Sequence, residues 1–172
     1  MTLDPNTQQP VTPDQMLRVI ASDLRAWPRI ADYTVRACED AADALGLLCD
    51  GDSGGRIILR WAGDQAYGGA VPHGDIAVSR LSVVMTRGQS LSVEPGQTEL
   101  AGDFPFLAAL AALRARILSY RIIGDATEGF FRYVGSAPVS LPDGLPIRAY
   151  EITFSIRLAL PVDARNPVVL AL

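Results

Sequence analysis

The spacing of hydrophobic and polar positions along this chain shortens near residue 55, which marks where helices should give way to strands. Thr12-Pro13-Asp14-Gln15 has the form of a capping box with proline at the first helical position, and Met16, Leu17, Ile20, Leu24 and Trp27 follow at helical spacing. Pro28 interrupts the run. Ile30, Tyr33, Ala37, Cys38, Ala41 and Leu45 then share one side of a second helical pattern over 29–45. Asp32, Arg36, Glu39, Asp40 and Asp43 lie opposite as a solvated face, and Gly46 supplies a stop. Beyond residue 55 the period falls to two. RIILRWA (56–62) and IAVSRLSVVMTR (76–87) are rich in β-branched residues, and the second alternates Ile76, Val78, Ser82 and Val84 with Leu81, Val83 and Met85. The thirteen residues between them, GDQAYGGAVPHGD (63–75), read as a long glycine-rich loop of the kind that carries contacts.

Residues 88–102 read as a further loop region with a short edge strand at Leu91-Ser92-Val93. Asp103 then caps a helix over 104–122, in which Phe106, Leu107, Leu110, Leu113, Ile117 and Leu118 form a wide apolar stripe and Arg114, Arg116 and Arg121 lie outside it. FFRYVG (130–135) and IRAYEITFSIRLAL (147–160) are strand-like, and Pro142-Asp143-Gly144 between them is a turn signal. In the last strand Ile147, Ala149, Glu151, Thr153, Ser155 and Arg157 share one face, while Arg148, Tyr150, Ile152, Phe154, Ile156 and Leu158 share the other. The second face is the core side, and Phe154 and Leu110 should be buried where this strand meets the helix. The pattern therefore predicts a single α+β domain over 13–160. Its mixed or antiparallel sheet of about four to five strands packs against N-terminal helices and one central amphipathic helix. Residues 1–12 form a polar, proline-containing arm, and 161–172 an extension whose apolar end needs a surface to pack on.

Composition narrows the function classes. A chain of 172 residues that is 49% hydrophobic and 20% charged can bury roughly two thirds of its unfolded surface. No apolar run approaches the ~18 residues of a membrane span, and MTLDPNTQQPVTP has neither the basic residues nor the apolar core of a signal peptide. All 15 basic residues are arginine. Without lysine there is no phosphate-loop lysine, no Schiff base and no lysine general base. One histidine and two separated cysteines do not make an ordinary zinc site; Cys38, in a helix-like stretch, reads as a buried thiol in a reducing compartment. A net charge of −4 and a pI near 4.9 argue against a nucleic-acid-binding stripe. Arginine without lysine is compatible with protein–protein interfaces.

Residues 49–55, CDGDSGG, resemble the nucleophile segment of chymotrypsin-like serine proteases around Ser53. A triad needs a base within about 3 Å of the nucleophile and a group to orient that base. Here the segment comes early, directly after a helix-like stretch, and the single histidine, His73, follows it between Pro72 and Gly74. An Asp/Gly/Ser loop joining a helix to a strand is the better reading. Asp50-Gly51-Asp52-Ser53-Gly54-Gly55 also matches the start of a calcium loop, but Trp61 stands where the twelfth position needs a bidentate glutamate. No catalytic residue, metal or cofactor is expected, and the chain reads as a non-enzyme.

RIILRWAGD at 56–64, the strand IAVSRLSVVMTR, the helix FPFLAALAALRARI and the closing block FRYVGSAPVSLPDGLPIRAYEITFSIRLAL together resemble the tail terminator proteins of long-tailed bacteriophages over about 13–160. The likeness is one of layout, without an invariant motif, and the arm and the extension go beyond it. It implies a virion protein, assembled in the bacterial host cytoplasm, that forms a homohexameric ring on the head-proximal end of the tail tube. The ring would end tube polymerisation and dock the head-completion or neck protein, and in a contractile tail it would also hold the last sheath ring. DNA would pass through the lumen without specific binding. The alternatives are another neck or connector protein of a phage-like particle, or a hydrolase using Ser53. A ring subunit needs sideways contacts and a face for the tube. The candidates are Asp64, Gln65, Tyr67 and His73 in the glycine-rich loop, facing a neighbour or the tube, and Val168, Val169 and Leu170 in the tail, buried on a partner or on the subunit's own sheet.

Overall fold

In the computed structural model, which describes residues 12–39, 43–44, 46, 55–66, 76–88, 105–121, 129–140 and 147–159, a five-stranded mixed sheet carries two α-helices. The first helix, α1 (Pro13–Ala26), starts as its sequence requires. Thr12 Oγ1 accepts from the Gln15 backbone N–H at 3.3 Å, and the Gln15 side chain accepts from the Thr12 N–H at 3.2 Å. Two otherwise orphaned donors are thereby satisfied. Met16, Leu17, Ile20, Ala21 and Leu24 are its buried face. Pro28 opens a single 3₁₀ turn (Pro28–Ile30) that reverses the chain.

The second N-terminal helix expected over 29–45 does not form as such. Tyr33–Cys38 is strand β1, parallel to β2 (Gly55–Ala66) with Tyr33 opposite Gly55 and Cys38 opposite Arg60. α-Helical geometry in and just beyond that stretch is confined to Asp43, Ala44 and Gly46 among the described residues. The aromatic and β-branched run Tyr33-Thr34-Val35 prefers the pleated surface, and Val35, off the expected helical stripe, is only 3% exposed.

Strand β2 pairs antiparallel with β3 (Ile76–Gly88), β3 with β5 (Ile147–Ala159), and β5 with β4 (Arg132–Pro138), giving the order β1-β2-β3-β5-β4. β3 and β5 match along their whole length, Ile76 to Ala159 at one end and Gly88 to Ile147 at the other. β2 also runs further than expected. It crosses an irregularity between Trp61 and Asp64, where Gly63 takes a φ of +92°, and continues to Ala66. Only glycine adopts that backbone without a Cβ penalty. The first four residues of the supposed loop, 63–66, are therefore strand.

Both helices lie on one face of the sheet. Ile57 and Leu59 of β2, Leu81, Val83 and Met85 of β3, and Ile152, Phe154, Ile156 and Leu158 of β5 point toward them, with Phe106, Leu113 and Ile117 of α2 (Pro105–Leu118). The alternation read along β5 is thus the one observed. On α2 the apolar side is narrower than expected: Leu113 and Ile117 are fully buried, but Leu110 is only partly buried and Leu107 is exposed. A smaller cluster on the opposite face joins Cys38, Ala44, Ile58 and Val84, with Val139 packed against it. The short edge strand expected at 91–93, Asp103, the turn at 142–144, the arm and the extension lie outside the described residues.

Candidate interaction surfaces

Of the residues proposed for contacts, Asp64 and Gln65 lie on β2 just past Gly63. Both engage β3 of their own chain: Ser79 Oγ donates to Asp64 Oδ1 at 2.6 Å and Arg80 Nη2 donates to Gln65 Oε1 at 2.9 Å. Ser79 is buried, so the Asp64 carboxylate satisfies a hydroxyl that would otherwise be stranded. Tyr67, His73, Val168, Val169 and Leu170 lie outside the described residues, as do Cys49, Asp50, Asp52 and Ser53 of the protease-like and calcium-like segment. Among the described residues no group of three or more His, Cys, Asp or Glu side chains gathers within reach of one ion.

Three constellations stand out among the described residues. The first sits on the face opposite α1 and α2, where the cross-strand register brings Arg60, Ser82 and Glu151 together. Arg60 donates to Ser82 Oγ at 3.2 Å and to Glu151 Oε1 at 3.1 Å, and the Ser82 hydroxyl donates to the same carboxylate oxygen. Ser82 is fully buried, so this bridge of β2, β3 and β5 fixes register as well as charge.

The second constellation clamps the two helices. Arg116 of α2 forms a bidentate pair with Asp23 of α1, Nε to Oδ2 at 3.0 Å and Nη2 to Oδ1 at 2.7 Å, and the Tyr120 hydroxyl donates to Oδ2. The guanidinium also lies over the rings of Trp27 and Tyr120, 5.6 Å from each centroid. The Arg116 hydrogen bonds hold the Asp23 carboxyl below its ordinary value, and burial, aided by the Asp23 charge, pushes the Tyr120 hydroxyl up. Three hydrogen bonds converge on the Asp23 carboxylate and fix α1 against α2.

The third is an exposed edge. β4 ends the sheet, and most of its residues are solvent-facing. Phe130 just before it, Tyr133 and Val134 on it and Leu107 on the neighbouring helix are 45%, 43%, 53% and 48% exposed. Arg114 lies 5.4 Å from the Tyr133 ring centroid and Arg121 4.7 Å from that of Phe130. Sequence reasoning missed this surface because every apolar residue in it reads as core. The available signal was the run of arginines outside the α2 stripe.

No protein-family model and no curated protein matches the chain. Its fold is similar to that of a solved chain described as "Virion of native gene transfer agent (GTA) particle", with a TM-score of 0.52 and 12% identity, covering 84% of this chain and 94% of that one. The likeness is one of fold.

Proposed function

We propose that this chain is a structural protein of a phage-like virion, without catalytic activity, and that within the particle it forms the ring that caps the head-proximal end of the tail tube. One observation carries the reading: the fold matches a virion component across nearly all of that component and most of this chain. The tail-terminator layout of strands, helix and closing block points the same way from the sequence. The chemistry of the described residues is consistent, since the open surface among them is aromatic and arginine-bearing, the composition of a contact. In this role the ring contacts itself, the tail tube protein and the head-completion or neck protein, and in a contractile tail the sheath, while DNA crosses an unspecific lumen.

The test is deletion of the gene in a particle-producing host, scored by electron microscopy. Tails of uncontrolled length that do not join heads are the expected outcome. Tails of normal length that fail to join heads would instead assign the chain to the neck or connector. Normal tails joined to heads would overturn both.

A further inference from the structure

Among the described residues five large apolar side chains are left exposed, and three of them, Phe130, Tyr133 and Val134, lie on β4 or directly before it. The two rings are held in place. The Tyr133 ring meets the buried Phe154 ring edge-on, centroids 6.4 Å apart, and Arg114 of α2 lies over it at 5.4 Å. Arg121 lies over Phe130 in the same way at 4.7 Å. Val134 is the extra residue where β4 shifts register against β5, and a bulge leaves such a residue without a partner in the ladder. The result is a fixed, half-open apolar strip along the sheet edge. Its four strand steps from Phe130 to Val134 span ~13 Å.

A segment of the same chain starts beside this strip. β5 continues past Ser155, the partner of Arg132, to Ala159. In an antiparallel pair that is the direction in which β4 leads back to Phe131 and Phe130. The chain therefore leaves the sheet at the Phe130 end of the strip. The next thirteen residues, 160–172, hold one acid, Asp163, and one arginine, Arg165, and include the apolar run Val168-Val169-Leu170-Ala171-Leu172. Fully extended, such a segment reaches up to ~43 Å, enough to double back along β4. Five extended residues cover about 17 Å, enough for the strip.

We propose that residues 160–172 double back within their own subunit and seat the apolar run 168–172 on the strip of Phe130, Tyr133 and Val134. Two exposed apolar surfaces of one chain are thereby removed from water together. The run is tied to the sheet through only eight residues, 160–167. A short tether sets an effective concentration on the order of millimolar, so the strip of the same subunit outcompetes that of a second copy at micromolar protein. The contact is made by side chains, because the register shift and Pro138 impede the pairing of a further strand on β4. The extension is then a strap over the open aromatic edge. This inference concerns the single subunit and stands apart from the ring reading.

Disulfide trapping on the purified full chain tests the contact, in a Cys49→Ser background that leaves the buried Cys38 as the only native thiol. Val134→Cys with Val169→Cys should close an internal disulfide at a rate independent of protein concentration. That rate should exceed that of Val19→Cys with Val169→Cys by about tenfold or more. Val19 is 69% exposed on α1 and reports how often an unseated segment arrives by chance. Adding Val168→Asp with Leu170→Asp should abolish the difference. Equal rates for the two pairs would mean that the segment is not seated on β4. Disulfide-linked dimers in place of the internal bond would put it on a second copy. Either result overturns the proposal. A second readout is the fluorescence of ANS, which reports open apolar surface. Ending the chain at Leu160 should raise it severalfold. Should the truncation disturb folding, Val168→Asp with Leu170→Asp in the full chain must raise it too. An ANS signal unchanged in both would equally overturn the proposal.

Discussion

Leu107, Leu110 and Leu113 share one short helix and one side-chain chemistry, yet they occupy three environments. Leu113 is fully buried between the helix and the sheet, Leu110 is half-buried, and Leu107 is 48% exposed. Leu113→Ala should cost about 2–5 kcal/mol through lost transfer energy and a residual cavity. Leu107→Ala should stay within about 0.5 kcal/mol, as surface substitutions do, and Leu110→Ala should fall between. Urea denaturation of the three variants checks the order, and an equal cost at all three would mean that α2 packs by a broader face. The sequence makes all three look equivalent, because α2 is apolar nearly all round and its 3.6-residue period offers a wide stripe without marking its centre. Which part of that stripe is covered depends on where the sheet lies. Phe154 is different: strict alternation along β5 leaves it only one face, and it is fully buried as that alternation requires.

Elements defined by their own periodicity were legible, and those defined by a partner were not. α1 carries its start signal in Thr12 and Gln15, and β3 and β5 carry theirs in long runs of period two. β1 has no such independence. Ile30, Tyr33, Ala37 and Cys38 fit a helical stripe as well as they fit a strand, and pairing with β2, a contact across the chain, decides between them. The same holds for the candidate contact residues. Glycines made 63–75 look like a loop, but Asp64 and Gln65 are held in the sheet by Ser79 and Arg80. The position of β4 at the sheet's end, which exposes Tyr133 and Val134, follows from strand order and has no local signature. At this scale the clamp of α1 to α2 gives a pH prediction. Asp23 is depressed in the folded chain, so its contribution is present above the ordinary aspartate value near 3.8 and is lost as pH falls through the lower folded value. Tyr120 is raised, so its contribution is full below the ordinary tyrosine value near 10.0 and declines as pH rises beyond it. Thermal melts across pH should show Asp23→Asn flattening the acid limb and Tyr120→Phe the alkaline limb. An acid limb unchanged in Asp23→Asn would place the responsible carboxylate elsewhere.

At the scale of the whole molecule, the proposed capping role leads to a prediction about copy number. A protein that caps a tube is used once per tube, however long the tube grows, because it occupies the terminus and removes the site at which subunits add. A protein that forms part of the wall is used in proportion to length. Heterologous contacts allow either outcome: rotation without translation closes a ring, and any translation along the axis generates an open helix. The capping reading requires the closed ring, in which the tube end sets the number of copies. Particles from a host producing tails of two lengths should therefore contain the same number of copies of this chain per particle, while tube protein per particle rises with length. Quantitative mass spectrometry of purified particles against labelled standards measures both. A copy number that scales with tail length would make the chain a wall subunit and remove the capping role. A constant number in headless tails that is halved or lost in tail-less heads would locate the ring on the tail side of the joint.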